Sequence, residues 1–420
     1  MTSDVETEAP GRIGVVRTVP WRLGMTLIGA GVLAGLVAAG LTALLHLVQH
    51  VAFGYSQGTF EAGVLGASKI RRVTVLSVCG VVVGAGWYLL GRYARPVVRV
   101  RVAVRERMAM RPAATIAESV LQIVVVGLGA SLGRESAPRR VSAALAQLLG
   151  QRVRLADEHV RVVMACAAGA GFGAVYGVPV AGALFTLEVL LRSRRLGHVL
   201  AAVMVAIVAD TVAWIEVPRG PFYDVAVGPW SWALLVGALL AGPMAGAAGL
   251  GFDAATRWAG ERRPQSWAVP ATAVPVFAAL GLLSLAAPSL LGNGRGPAQL
   301  AFDGGRTTLV LLSLGLAKPL VTAACLRTGA TGGLITPAIA TGALLGAGLG
   351  GLWHDVFASS AASGVAVVVV AGVLAVTVRA PFTAVALAFE LTGPPWWLLL
   401  PIILTTIGAW MTARGWKREA

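Results

Sequence analysis

Long runs without Lys, Arg, Asp or Glu alternate along the chain with short segments rich in arginine. The charge-free runs cover residues 23–60, 73–91, 162–187, 225–252, 264–294, 328–354, 356–378 and 391–413. A helix needs about 20 residues to cross roughly 30 Å of hydrocarbon, and most of these runs reach that length. The pattern predicts ten or more membrane helices. Sustained two-residue alternation, which a membrane barrel would require, is absent from the sequence, so the expected fold class is an all-α membrane protein.

Composition strengthens this reading. Hydrophobic residues make up 57% of the chain and charged residues 13%, and the mean hydropathy of +0.78 excludes water as the main solvent. The 53 glycines suit close helix packing and broken helices. A formal charge of +15 raises the question of nucleic acid, but the arginines sit between apolar segments. Membrane lipids are therefore the expected partner, with no nucleic acid. Basic clusters at 92–111 (seven Arg), at Arg192, Arg194 and Arg195, at Arg257, Arg262 and Arg263, and at Arg414, Lys417 and Arg418 read as cytoplasmic. Lys69, Arg71 and Arg72 do not fit that orientation. The expected division is a cytoplasmic tail at 1–20, a transmembrane domain at 21–414 with halves at about 21–217 and 225–414, and a short tail at 415–420. Cys79, Cys166 and Cys325 read as small core residues, His46 and His50 as a packed pair rather than a zinc site, and Trp396 and Trp397 as an interfacial anchor.

The two halves share a pattern. Pro179-Val-Ala-Gly-Ala-Leu-Phe-Thr-Leu-Glu188 and Pro381-Phe-Thr-Ala-Val-Ala-Leu-Ala-Phe-Glu390 both place a proline nine positions before a glutamate. Each proline suits the first turn of a helix. An internal duplication of this kind puts a substrate site at the interface of the repeats, near mid-membrane.

Two segments carry candidate chemistry. Gly133-Arg134-Glu135-Ser136-Ala137-Pro138 follows the apolar run at 119–132 and precedes a predicted helix over 141–150. A helix thus starts inside the membrane, where its unpaired amides and dipole favour an anion. Glu135 at that tip is either a tethered competitor for the anion site, or a cap of its own helix or a partner of Arg134, Arg139 or Arg140. In the second half, Thr328-Gly-Ala-Thr-Gly-Gly333-Leu334-Ile335-Thr336-Pro337 leads into a predicted helix over 338–349. It is either a second anion-facing helix start or a packing element.

These residues resemble a known family. Gly133-Arg134-Glu135 with Pro138, Gly333-Leu334-Ile335-Thr336-Pro337, the segment from Ala168 to Glu188, and Val378-Arg379-Ala380-Pro381 through Glu390 are similar, in this order, to the motifs of the CLC chloride channels and chloride/proton exchangers. The resemblance implies a CLC-like inverted-repeat bundle of many tilted and broken helices. It further implies a homodimer with one pore per subunit, a gate at Glu135, chloride as the ligand and no cofactor. Anion contacts would come from Gly133, Arg134, Glu135, Ser136, Gly333, Leu334, Ile335 and Thr336, with the amides of Leu334 and Ile335 foremost. A multi-pass protein of a bacterial plasma membrane is the implied setting.

Several positions depart from the family pattern. The segment at 94–104 lacks the pore serine, and either an arginine replaces it electrostatically or the segment is cytoplasmic. Ser136-Ala137-Pro138 adds a residue before the proline. The sequence stops before a pore tyrosine and before any nucleotide-binding modules, so no regulation by adenine nucleotides is expected. Val189 stands where exchangers carry a second, internal glutamate. Channel-like conduction of chloride or similar monovalent anions is therefore the first expectation. Proton-coupled exchange, with water or Glu188 as the relay, is the alternative, and a non-transporting scaffold or sensor is a further one. No enzyme is expected, because no nucleophile, metal motif or cofactor motif accompanies Glu135 or Glu188.

Overall fold

The computed structural model describes residues 20–94, 96–356 and 362–419; the predicted tail at 1–20 lies outside them except for Pro20. The first half runs α1 (Pro20–Phe53), α2 (Phe60–Gly66), α3 (Lys69–Tyr93), α4 (Val100–Glu106), α5 (Pro112–Gly127), α6 (Ser136–Arg152), α7 (Asp157–Ala174), α8 (Pro179–Phe185) and α9 (Leu196–Ala213). The second half runs α10 (Trp232–Glu261), α11 (Ala268–Leu283), α12 (Arg295–Asp303), α13 (Thr308–Arg327), α14 (Ile335–Val356), α15 (Ala362–Leu374), α16 (Pro381–Thr392) and α17 (Leu399–Glu419). Helix α17 continues into the segment predicted as a C-terminal tail. Among the described residues, eight helices are long and apolar enough to cross a membrane, and four apolar helices are shorter. The ten or more full crossings predicted from the charge-free runs thus resolve into long spans mixed with broken ones, because glycine loops and prolines interrupt several runs.

An inverted repeat organises the bundle. Within the halves, α1 packs on α9 and α6 on α7; α10 packs on α17 and α14 on α15 in the same way. Between the halves, α3 packs on α11 and α8 on α16. Small residues permit this closeness. On α14, Gly342, Gly346 and Gly350 face the backbone of α15, and a β-carbon there would stand 2.9, 2.7 and 2.7 Å from Val370 Cα, Ala366 Cα and Ala362 O. Such contacts replace the hydrophobic drive that lipid cannot supply.

The proline–glutamate repeat has a physical explanation in this packing. Glu390 of α16 accepts hydrogen bonds from the amides of Val180 (3.0 Å) and Ala181 (2.7 Å) at the start of α8. Glu188, in the π-helical turn that follows α8, accepts from the amides of Phe382 (3.3 Å) and Thr383 (2.8 Å) at the start of α16. Each half thus caps the other's helix. Glu188→Ala and Glu390→Ala should each lower stability by about 1 kcal/mol, the usual worth of an N-terminal cap. Thermal unfolding in detergent checks this, and melting temperatures equal to the parent would show that the caps contribute nothing.

Two of the three basic residues that conflicted with the predicted orientation, Arg71 and Arg72, have structural partners. Arg71 Nε donates to Ala52 O and Arg71 Nη2 to Val51 O, both at 2.8 Å, which satisfies carbonyls at the end of α1. Arg72 Nη1 donates to Ser284 O at 3.0 Å. Trp396 is exposed, and the Trp397 ring packs edge-on against Trp230. All three cysteines are free and buried.

Candidate anion site

The site is built from two loops that share a G-A-[ST]-x-G pattern. Helix α5 ends at Gly127 and α13 at Arg327, and each helix is followed by a glycine with positive φ, Gly129 (+102°) and Gly329 (+97°). A left-handed residue just past a helix end terminates it, and glycine takes that conformation without strain. The chain then runs Gly129-Ala130-Ser131-Leu132-Gly133 in one half and Gly329-Ala330-Thr331-Gly332-Gly333 in the other, an offset of 200 positions. Sequence reasoning had both loops but missed this alignment, which a search for G-A-[ST]-x-G would have found.

The loops meet at an isolated antiparallel bridge, the only extended pairing among the described residues. The Gly133 amide donates to Gly333 O at 2.7 Å, and the Gly333 amide donates to Gly133 O at 2.8 Å. Two helix tips, those of α6 and α14, are thereby held side by side. Gln122 of α5 fixes the first loop: its Nε2 donates to Gly133 O at 2.9 Å, and its Oε1 accepts from Ser136 Oγ at 2.8 Å. Lys318 of α13, fully buried, donates to Leu290 O (2.9 Å) and Gly292 O (3.0 Å), and the Gly292 amide in turn donates to Gly129 O at 2.8 Å.

Glu135 lies between the tips and is 1% exposed. Its carboxylate makes no hydrogen bond to its own helix. Instead Oε1 accepts from the Ile335 amide of α14 at 2.7 Å, and Oε2 accepts from Tyr176 Oη at 2.9 Å and Thr336 Oγ1 at 3.2 Å. The Tyr176 and Thr336 hydroxyls are 2.5 Å apart. Gly133 and Gly333 complete the cradle, since a β-carbon on either would collide with the carboxylate. Between them the two carboxylate oxygens take a helix-start amide and two hydroxyls, the ligands a small anion would use.

The other predicted contacts divide. Gly133, Gly333, Ile335 and Thr336 join Glu135, and Leu334 lies on the cavity beside them. Ser136 faces Gln122. Arg134 turns away: it donates to Val175 O at 2.8 Å, and its guanidinium lies 5.3 Å from the Tyr176 ring and 5.6 Å from the Phe222 ring. No ion pair links Glu135 to Arg134, Arg139 or Arg140 among the described residues; Arg140 pairs with Glu118 at 3.1 Å. Glu188 holds the start of α16 and has no contact with Glu135 among the described residues. Tyr176 and Gln122 were missed, because a lone polar residue inside an apolar run gives no sequence signal.

A cavity of about 550 Å³ approaches the site from the arginine-rich face, and its lining includes Gly332, Leu334, Val189, Val97 and Arg99. The segment that lacks the pore serine therefore lines the approach. On the other side, Phe222 packs edge-on against Tyr176. His46 and His50 form a stacked pair at 6.3 Å, with His46 Nδ1 3.0 Å from Glu216 Oε1.

The fold and sequence have relatives. The chain superposes on a slow cyanobacterial Cl⁻/H⁺ antiporter with a TM-score of 0.81 at 19% identity, covering 94% of this chain and 95% of that one. A CLC-type fluoride/proton antiporter gives 0.75 at 21% identity, over 94% of this chain and 96% of the other. In sequence, the chain is 31% identical over 318 residues to a putative chloride channel protein, ClcB-like, of Ralstonia nicotianae, with 72% of each protein covered. It is 29% identical over 310 residues to the H⁺/Cl⁻ exchange transporter ClcA of Cronobacter sakazakii, covering 69% of this chain and 64% of that one. A family profile described as voltage gated chloride channel matches residues 79–414, and with the bridged helix tips around Glu135 this places the protein, a multi-pass membrane protein, in the CLC family of anion transporters.

Proposed function

We propose that the protein exchanges chloride, or a similar monovalent anion, for protons across a bacterial plasma membrane. The observation that carries this reading is the burial of Glu135 between two helix tips, with every oxygen contact supplied by a donor that an anion could use instead. An anion can take that place only if the carboxylate leaves. A carboxylate leaving three donors loses about 1.5–3 kcal/mol for each hydrogen bond to a charged group, and protonation removes most of that loss. Anion entry and proton uptake are thereby linked at one side chain.

This reverses the order of the two sequence expectations, which put channel-like conduction first on account of Val189. Val189 lines the arginine-side cavity, so water there can deliver a proton without an internal glutamate. Glu188 is not needed for that step. The exchangers among the relatives support the same choice. The arginine-rich face is read as cytoplasmic, and the chain as one subunit of a homodimer with its own anion site and no cofactor.

Chloride-loaded proteoliposomes test the proposal. Dilution into chloride-free buffer should release chloride and drive protons inward against a proton gradient. Chloride release with no proton movement would return the reading to a channel, and release no faster than from empty vesicles would remove transport altogether.

A further inference from the structure

The cavity that approaches the site holds more positive charge than a halide pathway requires. Arg99, Arg101, Arg139, Arg140 and Arg263 line it, with Glu118 as its one carboxylate. Glu118 is already engaged, since it pairs with Arg140 and accepts from Thr331 Oγ1 at 2.7 Å. Arg139 lies 5.5 Å from the Phe185 ring and forms no ion pair among the described residues, although it stands within the field of Glu135 and Arg140. The Arg263 Nε is buried with no hydrogen-bond partner. Burial, together with the nearby Arg99 and Arg140, lowers the pKa of Arg263 from its usual value, and Glu118 offsets only part of that.

Three further arginines fix the walls through backbone carbonyls instead. Arg105 donates to Val189 O and Leu190 O, Arg161 to Val104 O at 2.8 Å, and Arg111 to Pro96 O at 3.1 Å. The cavity is thus a braced pocket. Its volume of about 550 Å³ falls in the range of small-molecule sites, about 300–1,000 Å³. A halide is a single point of charge, for which the Ile335 amide and the Tyr176 and Thr336 hydroxyls around Glu135 already offer donors. A guanidinium offers a planar fork of N–H donors that matches two oxygens of one anion.

We propose that this arginine-lined cavity binds a tetrahedral dianion of the phosphate class, and that its occupant plugs the approach to the anion site from that face. The binding part stands independently of transport; the plugging part rests on the proposed function. Inorganic phosphate and a phosphomonoester lipid headgroup share the required chemistry.

Equilibrium binding of radiolabelled inorganic phosphate to the purified full-length protein, in chloride-free detergent buffer, tests the site. Saturable binding with a Kd of about 1 mM or tighter is expected. Arg139→Ala with Arg263→Ala should weaken it at least tenfold, about 1.4 kcal/mol. Arg99→Ala with Arg101→Ala, at the exposed rim, is the second variant should the first fail to fold, and it should weaken binding severalfold. Arg139→Lys, which keeps the charge and loses the fork, should also weaken it. Repeating the titration with phosphatidic acid in the micelles identifies the source: displacement of phosphate at a lower concentration than unlabelled phosphate needs assigns the site to the lipid headgroup, and weaker or no displacement assigns it to the soluble ion. Absence of saturable binding, binding abolished equally by gluconate of matched ionic strength, or binding unchanged in both double variants would overturn the site. In proteoliposomes, phosphate on the arginine side alone should slow chloride efflux. Intact binding with unslowed efflux would overturn the plug while leaving the site, and absent chloride flux with intact binding would indict the transport reading instead.

Discussion

Glu135→Ala should leave chloride moving and stop protons. The variant removes both the tethered competitor and the proton carrier, while the Ile335 amide and the Thr336 and Tyr176 hydroxyls remain. A tethered group competes at an effective concentration in the millimolar range or above. Its loss should tighten chloride binding at least about tenfold, equivalent to 1.4 kcal/mol. Proton movement coupled to chloride should fall to the level of empty vesicles, and the pH dependence of chloride flux between about pH 4 and 8 should flatten, because no carboxyl remains at the site to take up a proton. Glu135→Gln should behave similarly, since an amide cannot carry the proton. Paired recordings of chloride and pH from the same vesicles check both variants; retained coupling in either would remove Glu135 from its role.

Gly333→Ala should be nearly as damaging, for a different reason. The new β-carbon would collide with the Glu135 carboxylate, and Gly333 also makes both hydrogen bonds of the bridge to Gly133. The three atoms nearest to that carbon all belong to the Glu135 carboxyl group, which would have to leave its donors to make room. Chloride flux should fall about 100-fold, the result of some 2.7 kcal/mol of lost anion binding. Gly251→Ala supplies the comparison: nothing lies within 4 Å of its added carbon, and flux should stay at the parental rate. If the collision with Glu135 is the cause, Glu135→Ala added to Gly333→Ala should recover at least about tenfold of the chloride flux. No recovery would place the damage in the bridge rather than at the carboxylate.

How far these features could be read beforehand depended on the kind of signal each leaves. The helical membrane class was legible because hydrocarbon tolerates so few backbone solutions, and charge-free runs report it directly. Gly133-Arg134-Glu135 and Gly333 to Pro337 were legible because a helix that starts inside an apolar run needs glycine and a polar tip. The partner of Glu135 was not. Whether its carboxylate caps its own helix or the opposite one depends on the bridge between two loops 200 positions apart, and only the folded chain brings them together. Tyr176 was hidden for the same reason.

The Pro–Glu repeat shows the intermediate case. Its spacing announced a duplication but not what the two glutamates hold, and Glu188 stood only beside water as an alternative proton relay. In the fold it caps α16, in exchange for Glu390 capping α8. Likewise, Arg71 and Arg72 disturbed a topology argument built on counting charges, because that argument assumes basic residues near a membrane end face lipid head groups; these two satisfy carbonyls of α1 and of the turn after α11.

A zero-current voltage recorded across a bilayer containing the protein, first with a chloride gradient alone and then with an opposing proton gradient added, addresses the exchange of carboxylate for chloride between the two helix tips most directly. The voltage should shift when only the proton gradient changes. A voltage set by chloride alone, unmoved by pH on either side, would contradict it.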